Sequence, residues 1–275
     1  MKFKPYGLPV VVLLLSLAAA YAQTSDAELR VGIAAYKDSH YDEAIAHFQK
    51  AVDLDSGSIN ARMYLATACL SEFIPGVLTE ENTAVAQRAV EQYQYVVNSD
   101  AAPEQKVNAA KGTGYIYLNL KKFEEAKTYY RMASDFDPKD PEPFYSVGVI
   151  DWTLCYQPRM EARAKLGIKP GDNLDGKKPS QMKVCDELKA ENTLLIAEGI
   201  ETLNKAIQLR PDYDDAMAYM NLMYRERADI ECDDPAARAK DLKAADDWVD
   251  KTLATKKAKA KESDRTSQPT APSPR

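Results

Sequence analysis

The chain has 275 residues, with 36 basic against 42 acidic side chains and a net charge of −6. That length allows one large core, two small ones or an elongated array of repeats. The acidic balance disfavours nucleic acid and anionic lipid as partners of the body, because both carry phosphate charge of the same sign.

Residues 1–22 read as a secretory signal peptide. Lys2 and Lys4 precede a 13-residue apolar run from Leu8 to Ala20, and Ala20-Tyr21-Ala22 supplies the small-x-small pattern of a cleavage site. The run is short against the roughly 20 residues needed to cross a bilayer. The expectation is therefore a mature chain from Gln23, periplasmic or secreted, with no stable membrane anchor after cleavage.

From there to residue 254 the pattern is one of paired helices, interrupted by inserted turns. "RVGIAAYKDSHYDEAIAHFQKAVDLD" places Gly32 on one helix and Ala44, Phe48 and Ala51 on the next, with His40 in the turn. A second pair runs from Ile59 to Leu70 and through Ala89, Tyr93 and Val96, and Pro75-Gly76 breaks the chain between them. The third pair is "AAKGTGYIYLNL" followed by a helix with Phe123, Ala126, Tyr130 and Ala133 on one face, stopped by Pro138. A fourth begins with Phe144, Val147 and Gly148 and resumes at Gly199, Leu203, Ala206 and Pro211, with about 156–189 inserted between. The fifth opens at "DDAMAYMNLMYRERA" and closes with Ala244 and Trp248.

Gly32, Ala44, Phe48 and Ala51 lie 82 residues before Gly114, Ala126, Tyr130 and Ala133. This order of small and aromatic positions, a short turn, Ala-x3-aromatic-x2-Ala and then Pro, resembles the tetratricopeptide repeat, whose period is about 34 residues. The resemblance is fullest over 107–140, where Gly114, Tyr117, Ala126, Tyr130, Ala133 and Pro138 match. It implies an all-α, right-handed superhelix of about five hairpins, with long inserted turns in the second, fourth and fifth. Each hairpin would cover the apolar flank of the last.

In that family ligands usually lie in the concave groove lined by the first helix of each hairpin. Carried onto this chain, the groove positions are Asn108, Lys111, Tyr115 and Leu118 in the third hairpin. Glu142, Tyr145, Val149 and Trp152 follow in the fourth, and Asp215, Leu222 and Arg225 in the fifth. Such a mixed aromatic and polar surface suits an extended peptide or a partner helix. The same aromatic residues at helical spacing also read as packing. The clamp of Lys, Asn and Arg with which one subclass grips a C-terminal carboxylate is not carried over, because Tyr115 stands where it needs asparagine.

The 156–189 insertion is polar, carries Pro158, Pro170 and Pro179, and reads either as a flap over one edge of the groove or as a surface excursion. Topology places Cys155, Cys185 and Cys232 on the turn edge of the array. The preferred disulfide is Cys185–Cys232, with Cys155–Cys185 second, and Cys69 reads as a small core residue. Residues 255–275, with six basic and two acidic side chains and a Pro/Ser-rich end, are expected to prolong the last helix briefly and then be disordered.

No catalytic constellation, phosphate-binding loop, cofactor motif or metal-ligand spacing occurs; two histidines and no C-x-x-C pair make a zinc site improbable. The sequence therefore reads as a protein–protein interaction scaffold of the bacterial periplasm or cell envelope, not an enzyme, with a protein or peptide partner. The alternatives are a self-assembling structural protein, for which a homo-oligomer is possible, and a small-molecule binder or enzyme using the insertion as a lid.

Overall fold

A computed structural model describes residues 24–169, Leu174 and residues 178–267. The expected signal peptide and residues 268–275 lie outside the described residues, as do 170–173 and 175–177, so Pro170 does too. Ten helices occupy the described residues, in five hairpins, and the chain divides into two compact units, Met1–Asp137 and Pro138–Arg275.

The first unit holds α1 (24–37), α2 (Tyr41–Leu54), α3 (Ile59–Glu72), α4 (Glu80–Asn98), α5 (Pro103–Asn119) and α6 (Phe123–Phe136). In α2 the buried positions are Ala44, Ile45, Phe48, Ala51 and Val52, the spacing of a single apolar face. Helix starts follow local chemistry: the Ser58 hydroxyl accepts from the Ala61 amide, Thr79 does the same for Asn82, and Pro103 opens α5.

The two best-matched hairpins close their turns alike. Ser39 and Lys121, 82 residues apart, both take the left-handed conformation, with φ of 62° and 59°. The next amide, His40 or Lys122, then donates back to the carbonyl of Ala35 or Tyr117, capping the helix end.

The small positions have a geometric reason. A Cβ on Gly32 would lie 2.6 Å from the Phe48 ring, and one on Gly114 would lie 3.1 Å from the Tyr130 ring. Phe48 is fully buried and Tyr130 nearly so, and a buried ring of this size contributes about 1.5–3 kcal/mol.

The second unit holds α7 (Pro141–Lys165), α8 (Pro179–Leu209), α9 (Asp214–Asp229) and α10 (Pro235–Ser267). Here α7 packs on α8 and α9, and α9 on α8 and α10. A Cβ on Gly148 would come within 2.5 Å of Leu203 Cγ. Gly148→Val is expected to destabilise this unit by about 2 kcal/mol, as overpacking of a filled core does; a urea midpoint unchanged from wild type would show that Leu203 moves freely aside.

Two expectations need correction. The fourth hairpin's extra length lies mostly in its helices: α7 continues through Pro158 to Lys165 and Pro179 starts α8, which leaves only 166–178 between them. Pro158 removes an amide donor, but it faces solvent, and the turn beyond it is held by Arg159 and Arg163 through contacts described below. Likewise the fifth hairpin's turn is only 230–234, and the second's is 73–79.

The other correction concerns the C-terminal end. Helix α10 runs on to Ser267, so the helix is prolonged over 255–267, farther than the brief extension expected. Carboxylates at the start of α9 hold it there. Lys259 Nζ lies 2.6 Å from Asp214 Oδ1, and Lys256 lies 3.9 Å from Asp214 Oδ2.

Candidate functional site

The eleven groove positions fall in both units, four in the first and seven in the second. In the first, α5 buries Val107, Ala109, Ala110, Gly112, Thr113, Gly114 and Ile116 and leaves one stripe outside. On that stripe Asn108 and Tyr115 are exposed and Lys111 and Leu118 half-buried. One residue outside the sequence reading joins it: Asn60 on α3 accepts from Gln105 Nε2 at 3.1 Å, linking the first helices of the second and third hairpins. The helical period alone does not show this contact, because its partners are 45 residues apart.

In the second unit Tyr145 and Trp152 form a seam between α7 and α9. The Tyr145 ring lies 4.9 Å from that of Tyr213 and 5.7 Å from Tyr219, and Trp152 lies 5.4 Å from Tyr219 and 4.8 Å from Tyr156. Edge-on and offset ring pairs at such distances add about 0.5–1.5 kcal/mol each beyond area burial. Tyr145 and Trp152 thus pack and remain half-buried at once, with Val149 between them and Leu222 farther along α9. Arg225 is exposed but engaged: it donates to Asp246 Oδ1 on α10 at 2.8 Å and to Asn221 Oδ1 at 2.9 Å. It stands less ready for a ligand than the spacing implies.

The seam is uncharged. Burial pushes the Tyr145 hydroxyl far above the usual phenol range, with Tyr219, Tyr213 and Asp215 adding to it. Tyr213 is pushed up to about 12 by burial, against the opposing Arg210. Tyr219 is raised for the same reason. At neutral pH these groups offer ring faces and neutral O–H donors. They suit stacking and hydrogen bonding, and they are poor nucleophiles or bases.

The insertion packs at the other end of α9. Cys185 and Cys232 are disulfide-bonded, with a Cα–Cα distance of 6.3 Å. Cys69 and Cys155 are buried outside this bond. Beside it Arg159 donates to both Glu226 oxygens, Nε at 2.6 Å and Nη2 at 2.9 Å, and to Asp229 Oδ2 at 2.6 Å.

Arg163 reaches the same Asp229 oxygen at 3.2 Å and the Lys169 carbonyl at 2.9 Å. Arg238 Nη1 donates to the carbonyl of the fully buried Leu174 at 3.0 Å. The insertion is therefore fastened to the end of α9 and the fifth turn. Only the cysteines were legible beforehand; the ion pairs join residues 66–70 positions apart.

Among the described residues no group of three or more His, Cys, Asp or Glu side chains is placed to hold a metal ion. No described helix is long and apolar enough to cross a membrane. His47 Nδ1 lies 2.6 Å from Glu28 Oε2 on the first hairpin, and His40 is exposed in its turn.

Comparison with known proteins bears on the fold. Residues 114–140 match the tetratricopeptide-repeat model. No curated protein sequence matches the chain. Among solved structures, a crystal structure of MamA protein is similar with a TM-score of 0.55 at 14% identity, covering 91% of this chain and 99% of that one. A MamA fragment from Desulfovibrio magneticus RS-1 gives 0.54 at 14%, covering 86% and 96%. YrrB, described as a TPR protein with an unusual peptide-binding site, gives 0.50 at 13%, covering 84% and 90%. At these identities the likeness is one of fold: all-α, paired hairpins of the tetratricopeptide-repeat kind.

Proposed function

We propose that this protein is an interaction scaffold of the bacterial periplasm or cell envelope. It holds a peptide or a partner's surface segment against the outward stripes of its first helices. The observation that carries the reading is the α5 stripe, where Tyr115 keeps 40% of its surface in solvent on a helix whose other faces are buried. A large ring held rigidly at low conformational cost is the kind of residue that anchors interfaces. Two-sided support comes from the half-buried Tyr145–Trp152 seam and from the likeness to YrrB, whose own description includes a peptide site.

Export rests on the signal-like residues 1–22, and the Cys185–Cys232 bond suits an oxidising compartment. The mass of the protein taken from the periplasmic fraction tests it: a chain starting at Gln23 is expected, and a full-length chain in the cytoplasm would overturn it.

For binding, Tyr115→Ala removes an exposed ring and leaves the core untouched. After crosslinked recovery of partners from the envelope fraction, affinity for the recovered partner is expected to fall about tenfold or more, with helicity unchanged. For the seam, Tyr145→Phe keeps the packing and removes only the donor. If Tyr115→Ala and Tyr145→Phe both bind as the wild type does, recognition lies off the first helices.

A further inference from the structure

We propose that the second unit carries both halves of a head-to-tail contact between copies of this chain: an acidic apolar furrow on the lengthened α7–α8 hairpin, and the basic end of α10 as its occupant. The furrow is a cleft of about 260 Å³ that exists only because α7 and α8 are prolonged. Leu166, Val184 and Leu188 line its apolar part, and Glu161, Glu187 and Glu191 line it with Lys165, while Lys183 lies 3.8 Å from Glu187 at the edge and leaves the acidic groups in excess by three to two. Leu194, 81% exposed, lies seven residues beyond Glu187 and so prolongs the same side of α8 by two turns. No other large apolar residue among those described is so exposed.

The α10 end has the opposite character. Its inward side is Thr252, Thr255 and Lys259, through burial, a contact of Thr255 with Met217, and the pairing of Lys259 with Asp214. The outward side repeats every four residues as Leu253, 60% exposed, then Lys257 and Lys261, both exposed. An aliphatic side chain followed by two lysines faces a furrow of aliphatic residues edged by three glutamates. Each would supply the charge and the apolar area the other lacks.

The two surfaces cannot meet within one copy. Lys259 is fixed at the start of α9 by Asp214, whereas α7 beside the furrow is fixed at the end of α9 by Glu226 and Asp229. The 16 residues of α9 separate them by about 24 Å. Since the surfaces differ, each contact leaves one furrow and one helix end open, so assembly continues unless rotation closes a ring. Anionic lipid would suit the lysines but not the furrow.

The test uses the whole mature chain from Gln23 in sedimentation velocity over a concentration series, at low and high salt. The expected result is a mass that rises with concentration beyond the dimer and falls as salt screens the charges. Reversing the furrow, Glu187→Lys with Glu191→Lys, or the helix end, Lys257→Glu with Lys261→Glu, is expected to weaken self-association about tenfold or more. All four sites are exposed, so melting temperatures should stay at the wild-type value. An equal mixture of the two variants is expected to restore assembly, because each then offers the surface the other needs. A wild type monomeric throughout, a variant associating like the wild type, or a mixture that fails to recover would each overturn the proposal.

Discussion

Arg159→Met is expected to lower the unfolding free energy of the second unit by about 3–5 kcal/mol, because it leaves the buried Glu226 carboxylate without its hydrogen-bonded cation, while Asp229 keeps Arg163 and Arg238. Glu226 is 2% exposed, Arg159 makes three charged hydrogen bonds to it and to Asp229, and Arg163 donates to Asp229. Urea denaturation at pH 7 measures the loss. A companion Glu226→Leu in the same chain is expected to recover most of it, since replacing a buried ion pair by packed apolar groups is often neutral.

The pH dependence has a definite sign. Burial raises the Glu226 carboxyl above its usual 4.5, with Arg159 opposing. A raised carboxyl holds its proton in the native chain where the unfolded chain has lost it. The native state therefore loses stability as pH rises from about the unfolded value through the folded one. Without the guanidinium the folded value climbs further, so the deficit of Arg159→Met should be smaller at mildly acidic pH than at pH 8. A deficit independent of pH, or one below about 1 kcal/mol, would mean that water reaches Glu226 and the pair is in effect a surface one.

Replacing both Cys185 and Cys232 by serine is expected to cost about 4 kcal/mol. The bond closes a loop with a sequence separation of 47, and loop closure of that size lies near the upper end of the usual 2–4 kcal/mol. The bond also holds the start of α8 to the fifth turn, beside the contacts of Arg163 and Arg238 with the insertion. Reductant should lower the wild-type urea midpoint to that of the double serine variant and leave the variant unmoved. A wild type indifferent to reductant would show that the bond contributes nothing. Exchange into the remaining thiols should be slow, because Cys69 and Cys155 are buried and burial pushes the Cys69 thiol up to about 11.

Much of this was legible from residue spacing. Gly32 with Phe48 and Gly114 with Tyr130 are pairs sixteen residues apart in which one partner must be small because the other is a ring. A pattern confined to one hairpin can be read locally. The insertion could not be read that way, since Pro158 and Pro179 look like breakers in isolation. In the folded chain Pro179 is a natural first helical residue, and the amide donor missing at Pro158 is offset by arginines whose carboxylate partners lie on another helix.

The groove positions divide in the same manner. Period places Tyr115, Tyr145 and Trp152 on the outward side of their helices, but does not show that Tyr145 and Trp152 meet Tyr213 and Tyr219, nor that Asp246 holds Arg225. The sequence by itself determined the helical class, the hairpin order and the small positions, because each depends on neighbours within about 34 residues. Tertiary structure alone decided the length of α7 and α8, the buried ion pairs and the furrow, because those depend on charges and side chains that are distant along the chain and adjacent only once it has folded.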